Sequence, residues 1–433
     1  MACLRILPSN LSGDIRIPPS KSISHRAVIS AALADGVSRI HNVILSEDII
    51  ATLDGMTSLG TSILASTAEA EEPGLLELKG CSQPQLIRDT IRCRESGSTL
   101  RFLIPIATLT GGPVTFTGEG KLSERPLNAY YDLFDQQGIL YETAGRALPL
   151  TITGRFKPGK FSIAGNVSSQ FISGLMFMLP LLQGDSNIVI TTDLESRGYI
   201  DLTIDALRQS GVIVENSDYH AFFIGGKQKY NPIDFRVEGD FSQTAFWLVA
   251  GTIGTGLTCY DLNRQSLQGD RVILDILWQM GAKMAFSETG DRLDVLPAAT
   301  HGIEIDVSQC PDLVPILAVI GALSQGTTRI INAGRLRIKE SDRLKAIATE
   351  LNTLGARIRE QEEGLLIEGV ETLHGGTVDS WNDHRIAMAL AVASIKSSGP
   401  VILNGSEAVR KSYPHFWRDF TRLGGIADEW NLG

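Results

Sequence analysis

One segment type recurs six times along the 433-residue chain, and this recurrence limits the fold more than any other feature of the sequence. Each copy opens with polar or small residues, continues as an apolar run of helical period, passes a glycine and ends in a β-branched stretch. The copies begin at Ser20, Ser96, Ser168, Asp240, Asp312 and Asp383. Their closing glycines, Gly36, Gly112, Gly184, Gly256, Gly326 and Gly399, are spaced 70 to 76 residues apart. A glycine just after the last periodic residue predicts a left-handed helix C-cap, and the stretches that follow, at 39–40, 114–116, 188–190, 257–259, 328–331 and 401–403, read as strands. Between copies a second amphipathic helix is expected, for example over 200–209, 272–280 and 343–354, followed by short alternating strands. The unit is therefore mixed α/β. It is too long for an ordinary solenoid repeat and large enough to be a small subdomain, so packing several units around one axis is the natural solution. The length of the chain implies two or three domains.

Composition narrows the function. With 43% hydrophobic and 20% charged residues the chain is ordinary globular material. No run approaches the roughly 18 apolar residues of a membrane span, and the start lacks the continuous apolar core of a signal peptide. The longest apolar run, 171–182, reads as a buried helix broken at Gly174 and approached by Pro180. A net charge of -10 argues against a broad nucleic-acid footprint. Cys3, Cys81, Cys93, Cys259 and Cys310 stand too far apart for a zinc site or a disulfide framework, which fits a reducing cytoplasm.

Every recurrent helix opens with Ser, Asp, Asn, Lys or Arg. Helix N-termini carry unpaired N–H groups and partial positive charge, so several of them converging would bind anionic oxygens. The plainer reading of Ser and Asp there is capping. Lys21, Arg26 and Arg385 favour the functional reading, because the dipole disfavours a cation at a helix opening unless an anion sits between. Lys21, Ser22 and Arg26 surround one helix start that Pro19 helps to begin. In 335–343 the alternation of charges suits either a wet surface or a Glu340 acid or base framed by Lys339 and Arg343. His384 reads as a capping residue or a catalytic one, Asp312 as an N-cap or a general base, and Ser168-Ser169-Gln170 offers two hydroxyls and an amide.

Taken together and in order, these strings resemble the 5-enolpyruvylshikimate-3-phosphate synthase family over nearly the whole chain. The resemblance rests on 20–26, Gly97 to Arg101, Glu124 to Pro126, Ser168 to Gln170, Glu195 to Asp201, Val237 to Asp240, Gln268 to Asp270, Asp312, Lys339 to Arg343, Asn382 to Arg385 and Lys411. It implies a two-domain α/β fold of six βαβαββ units, three per domain. One domain would comprise 1–19 plus 237–433 and the other 20–236, with the active site in the cleft between them. It also implies transfer of the enolpyruvyl group of phosphoenolpyruvate to the 5-hydroxyl of shikimate 3-phosphate, through a tetrahedral adduct that releases phosphate, in chorismate and aromatic amino acid biosynthesis. By matched position, Lys21, Gly97, Arg125, Gln170, Arg343, Arg385 and Lys411 would bind phosphoenolpyruvate. Ser22, Arg26, Ser168, Ser169, Gln170, Ser196, Tyr199, Asp312 and Lys339 would bind shikimate 3-phosphate. Glu340 would protonate the methylene carbon, Asp312 and Lys21 would handle the hydroxyl proton, and His384 completes the catalytic set. No metal or organic cofactor, no nucleic acid and no membrane is implied, and a cytoplasmic monomer is expected. Two alternatives remain. The sister family uses UDP-N-acetylglucosamine as acceptor and usually carries a Cys that 118–126 lacks; a phosphate-ligand sensor would keep the fold without turnover. Glu95-Ser-Gly-Ser98 and Phe102 depart from the family pattern and are expected to border the phosphoenolpyruvate pocket, where glyphosate would compete.

Overall fold

The computed structural model describes residues 3–429. The chain forms two compact units, Met1–Pro18 with Glu238–Gly433, and Pro19–Val237.

The recurrent runs are helical, and three of them are buried on all sides. Every residue of Phe241–Ile253, Val314–Ala322 and His384–Ala393 is buried. A helix without an exposed face has to be covered all round. These three accordingly pack on one another in the first unit, and the sheets lie outside them. In the second unit, Gly97–Thr108 packs on Ser169–Met178, while Lys21–Leu33 packs on the intervening helices Glu47–Ser58 and Arg197–Gln209.

Among the described residues there are six four-stranded sheets of one design. Glu304–Asp306 runs parallel to Thr327–Ile331, which pairs antiparallel with Gly364–Glu368, and Arg357–Gln361 forms the far edge. With the helices Val314–Ala322 and Arg343–Thr353 between them, the order along the chain is βαβαββ. The strand after each recurrent glycine is always second in its sheet. Three units fall in each half. The chain's first strands complete distant units: Cys3–Leu7 inserts between Val401–Asn404 and Ile426–Glu429, and Asp14–Arg16 pairs with Leu257–Tyr260. Asp234–Arg236 likewise closes the sheet of Val37–Val43. Backbone pairing of this kind explains why the two units exchange chain near residues 18 and 237.

Two expectations about glycine are corrected. The recurrent glycines are not the helix C-caps, which are Ala34, Leu109, Leu179, Gly254, Leu323 and Ser394. They form the turn into the next strand instead, and Gly36, Gly256 and Gly326 use positive φ to do so. Some helices tighten first into a 3-10 turn, as at Leu179–Leu181 and Ser394–Lys396, so the cap position is reached before the glycine. Gly174 does not break its helix, which runs Ser169–Met178. A methyl group there would lie 2.3 Å from the Arg101 carbonyl oxygen and 2.4 Å from the Tyr130 hydroxyl. The glycine is a point of close helix approach. No helix among the described residues is long and apolar enough to cross a membrane.

Candidate active site

In the unit Pro19–Val237 the polar groups gather at the starts of the recurrent helices. Ser20 caps Lys21–Leu33, Ser96 caps Gly97–Thr108, and Ser168 caps Ser169–Met178 by accepting from the Gln170 N–H. Lys21 Nζ is held 2.8 Å from Asp48 Oδ2, in the first turn of Glu47–Ser58. Arg26 is almost wholly buried; it donates through Nε to Thr203 Oγ1 at 2.9 Å, and through Nη1 and Nη2 to the Ser22 and Tyr199 carbonyls at 2.7 and 2.8 Å. Burial pushes its guanidinium down to about 10, against a small opposing effect of Tyr199. Gly97 is the point at which two more guanidiniums meet, since a methyl group there would stand 2.7 Å from Arg125 Nη1 and 2.8 Å from Arg101 Nη1. Arg101 Nη1 also donates to Gln170 Oε1 at 2.9 Å, and Gln170 Nε2 to Ser98 Oγ at 2.9 Å. Ser196, with φ of +57°, precedes the helix that carries Tyr199. Two buried arginines beside two helix N-termini are an arrangement chemically suited to an anion.

The unit holding Glu238–Gly433 is built around Arg343, the first residue of Arg343–Thr353, whose side chain is 1% exposed. Its Nε lies 2.8 Å from Asp383 Oδ2, Nη1 2.8 Å from Asp312 Oδ1, and Nη2 2.6 Å from Glu340 Oε2. Burial works against its charge, but the three carboxylates outweigh it and raise its proton affinity. Asp312 Oδ2 also takes Arg385 Nη2 at 3.1 Å, and Lys339 Nζ stands 3.8 Å from Oδ1. Burial alone would raise the Asp312 carboxyl; Arg385, Lys339 and Arg343 together hold it well below the usual carboxylate range. Lys339 is pushed down to about 8 by burial and by Arg343 and Arg335, although Asp312 opposes this. Lys411 Nζ donates to the Asn382 carbonyl at 2.6 Å, and His384 is buried at the opening of His384–Ala393.

The expected residues thus fall into two sets. Lys21, Ser22, Arg26, Gly97, Arg125, Ser168, Ser169, Gln170, Ser196 and Tyr199 lie in one unit, and Asp312, Lys339, Glu340, Arg343, His384, Arg385 and Lys411 in the other. The stretch 335–343 is no wet surface where it matters, because Arg343 is buried. Asp312 is not an N-cap: it sits inside the 3-10 turn Pro311–Leu313 with its carboxylate among cations. Phe102 is 1% exposed, edge-on to His25 and Phe177, with Arg26 5.3 Å from its ring. No role for Asp48 or Arg101 was legible in the sequence; Asp383 was legible as a helix cap, which it is, but not as a partner of Arg343. The usable signal for Asp48 was an acid in the first turn of a helix; Arg101 lay inside a quoted motif and was hidden by its neighbours. Among the described residues no three His, Cys, Asp or Glu side chains are placed to hold a metal ion.

Six βαβαββ units, three in each half of the chain, make up a fold shared with solved enolpyruvyl transferases. An enolpyruvyl transferase, NikO, from Streptomyces tendae superposes with a TM-score of 0.77 over 100% of this chain and 99% of its own at 18% identity. An EPSP synthase from Acinetobacter baumannii gives a TM-score of 0.81 over 99% and 100% of the two chains at 25% identity. The sequence profile of EPSP synthase (3-phosphoshikimate 1-carboxyvinyltransferase) matches residues 7–420, and the chain belongs to this family. A 3-phosphoshikimate 1-carboxyvinyltransferase of Clostridium novyi (strain NT) is 57% identical over the full length of both chains. That of Clostridium kluyveri is 54% identical, also over both full lengths. The chain is a transferase.

Proposed function

We propose that the protein transfers the enolpyruvyl group of phosphoenolpyruvate to the 5-hydroxyl of shikimate 3-phosphate, with both sets of residues acting on one pair of substrates. The observation that carries the reading is the meeting of Asp312 and Glu340 at one buried guanidinium, Arg343, with Lys339 3.8 Å from Asp312, within a family match over residues 7–420. Addition and elimination at one carbon need a proton donor and a proton acceptor held apart at fixed positions. Glu340 protonates the methylene carbon, which makes the neighbouring carbon cationic. The 5-hydroxyl oxygen bonds to that carbon while its proton passes to Asp312 or Lys21. In elimination the methyl group returns a proton to Glu340, the carbon–oxygen bond to phosphate breaks, and phosphate leaves with the proton that the hydroxyl gave up. Asp312 remains ionised through neutral pH and so orients the hydroxyl.

The phosphate of phosphoenolpyruvate is assigned to Lys21, Arg125, Gln170 and Lys411, with Gly97 leaving room for it. Its carboxylate goes to Arg385 and Arg343. Arg343 has to loosen one of its three carboxylates to take part, so the substrate competes with Asp312 or Glu340. Ser22, Arg26, Ser168, Ser169, Ser196, Tyr199 and Lys339 hold shikimate 3-phosphate, and His384 supports the helix opening next to Arg385. The chain acts as a cytoplasmic monomer in chorismate formation. Phosphate release from phosphoenolpyruvate, with shikimate 3-phosphate in one arm and UDP-N-acetylglucosamine in the other, tests the proposal. Release only with the first supports it, release only with the second assigns the sister reaction, and silence in both favours a sensor.

A further inference from the structure

Asp270 has no part in the chemistry above, yet it is buried beside it. It stands in the short turn Gly269–Val272 and is 2% exposed. Its Oδ2 accepts the Ser242 hydroxyl, and its Oδ1 is buried without a hydrogen-bond partner. Three neighbouring elements present charged or titratable groups to it. Asp312 and Cys310 come from the segment before Val314–Ala322, Arg385 from the opening of His384–Ala393, and Asp240 with Ser242 from the opening of Phe241–Ile253. The guanidinium that offsets Asp270, Arg385, already pairs with Asp312 at 3.1 Å. A buried carboxylate with so few donors ionises reluctantly. Burial and the charge of Asp312 push Asp270 up to about 6, while Arg385 and Ser242 pull the other way.

An anion bound at Arg385 would use the charge that offsets Asp270. Of the groups that face it, Asp312 is held ionised by Arg385, Lys339 and Arg343, and the Cys310 thiol is kept neutral by burial. Asp270, with an unpartnered oxygen, is the group able to respond.

From this arrangement we propose that Asp270 takes up a proton from water on Oδ1 when phosphoenolpyruvate binds, and so acts as a charge-compensating positioning residue for Arg385. This rests on the transferase reading. Asp270 touches no substrate; it sets how strongly Arg385 can commit its charge to the ligand carboxylate as pH changes.

The test compares KM for phosphoenolpyruvate in the wild type and Asp270→Asn from pH 5.5 to 8. The amide is neutral at every pH. A phosphate monoester itself ionises near about 6, and this cancels in the ratio of the two KM values. A bound-state pKa one unit above the free one makes that ratio, wild type over variant, rise by about sevenfold across the range, with the kcat ratio flat. Ser242→Ala, which removes a hydrogen bond favouring the ionised form, moves the rise to higher pH, and it serves as the deciding variant should Asp270→Asn fail to fold. Ratios independent of pH overturn the proposal. A wild type that releases no phosphate instead overturns the transferase reading. Calorimetric titration of phosphoenolpyruvate alone at pH 7, in buffers of different protonation enthalpy, then decides the linkage: about 0.4 more protons taken up by the wild type supports it, and equal uptake overturns it.

Discussion

Asp383 Oδ2 lies 2.8 Å from Arg343 Nε, and the same carboxylate accepts the Arg385 backbone N–H at 2.9 Å, so one wholly buried acid fixes two guanidinium-bearing helix openings. Ser341 Oγ donates to it as well, at 3.0 Å. Asp383→Asn retains a side chain that can cap the helix but removes the charge that balances Arg343. Breaking a buried ion pair from one side costs about 3–5 kcal/mol; Arg343 keeps two other carboxylates, so a loss of about 2–4 kcal/mol is expected. The urea midpoint of the variant measures this. Asp383→Ala should fall by about 1 kcal/mol more, since the cap is lost too. An unchanged midpoint for Asp383→Asn would mean that Asp312 and Glu340 alone satisfy Arg343.

Lys339 loses its charge at unusually low pH. Burial comes first among the causes, with Arg343 and Arg335 adding to it against Asp312, and the ammonium is pushed down to about 8. A group whose pKa is depressed is charged only below that value. Affinity for shikimate 3-phosphate should therefore decline as pH rises through about 8, by up to tenfold per pH unit if the neutral amine contributes nothing. Lys339→Arg stays charged and should flatten this limb of the KM profile. An alkaline limb identical in both proteins would separate Lys339 from acceptor binding.

Much of this architecture was legible because it is periodic. The six apolar runs and the glycines at a spacing of 70 to 76 residues gave the helix and the following strand of every unit. The longest apolar run, 171–182, read as a buried helix and is one over Ser169–Met178, whereas the complete burial of Phe241–Ile253, which carries Ser242, Gln243 and Thr244, was not legible. Short edge strands such as Asp14–Arg16 and Asp234–Arg236 carried no such signal, because three residues are too few for an alternating pattern and their partners lie far away in sequence. The same distance hid the site's ion pairs. Glu340 and Arg343 are three residues apart and could be read together, whereas Arg343 meets Asp312 and Asp383 across gaps of 31 and 40 residues. Lys21 and Asp48 meet across 27. At Asp312 capping chemistry left the role open between N-cap and general base, and the structure places the acid among cations rather than backbone N–H groups.

Gly174 is a glycine of packing. A methyl group there would overlap the Arg101 carbonyl and the Tyr130 hydroxyl, which itself donates to that carbonyl at 2.6 Å. Backbone cannot swing aside as a side-chain end can. Gly174→Ala should therefore force Ser169–Met178 away from Gly97–Thr108 and cost about 1–3 kcal/mol, even though alanine is the better helix former by about 1 kcal/mol. Thermal unfolding of the variant decides between the two effects. A raised midpoint would mean that the helices repack without strain.

Gly97 differs in what stands next to it. The atoms that a methyl group would meet are the ends of Arg125 and Arg101, at 2.7 and 2.8 Å, and flexible side chains can retreat by the required fraction of an ångström. Stability should change little, by less than about 1 kcal/mol. Displacing two guanidiniums from the start of a helix, however, disturbs the proposed phosphoenolpyruvate subsite, where Arg101 bonds Gln170 and Gln170 bonds Ser98. Charge-assisted hydrogen bonds depend steeply on geometry, and each is worth about 1.5–3 kcal/mol, so Gly97→Ala should raise KM for phosphoenolpyruvate by roughly ten- to a hundredfold. The effect on KM for shikimate 3-phosphate should be small, because Arg26 is anchored separately by Thr203 and by the Ser22 and Tyr199 carbonyls. Equal increases in both constants would mean that the two subsites are not independent in this unit, and an unchanged KM for phosphoenolpyruvate would take Arg125 out of its proposed role.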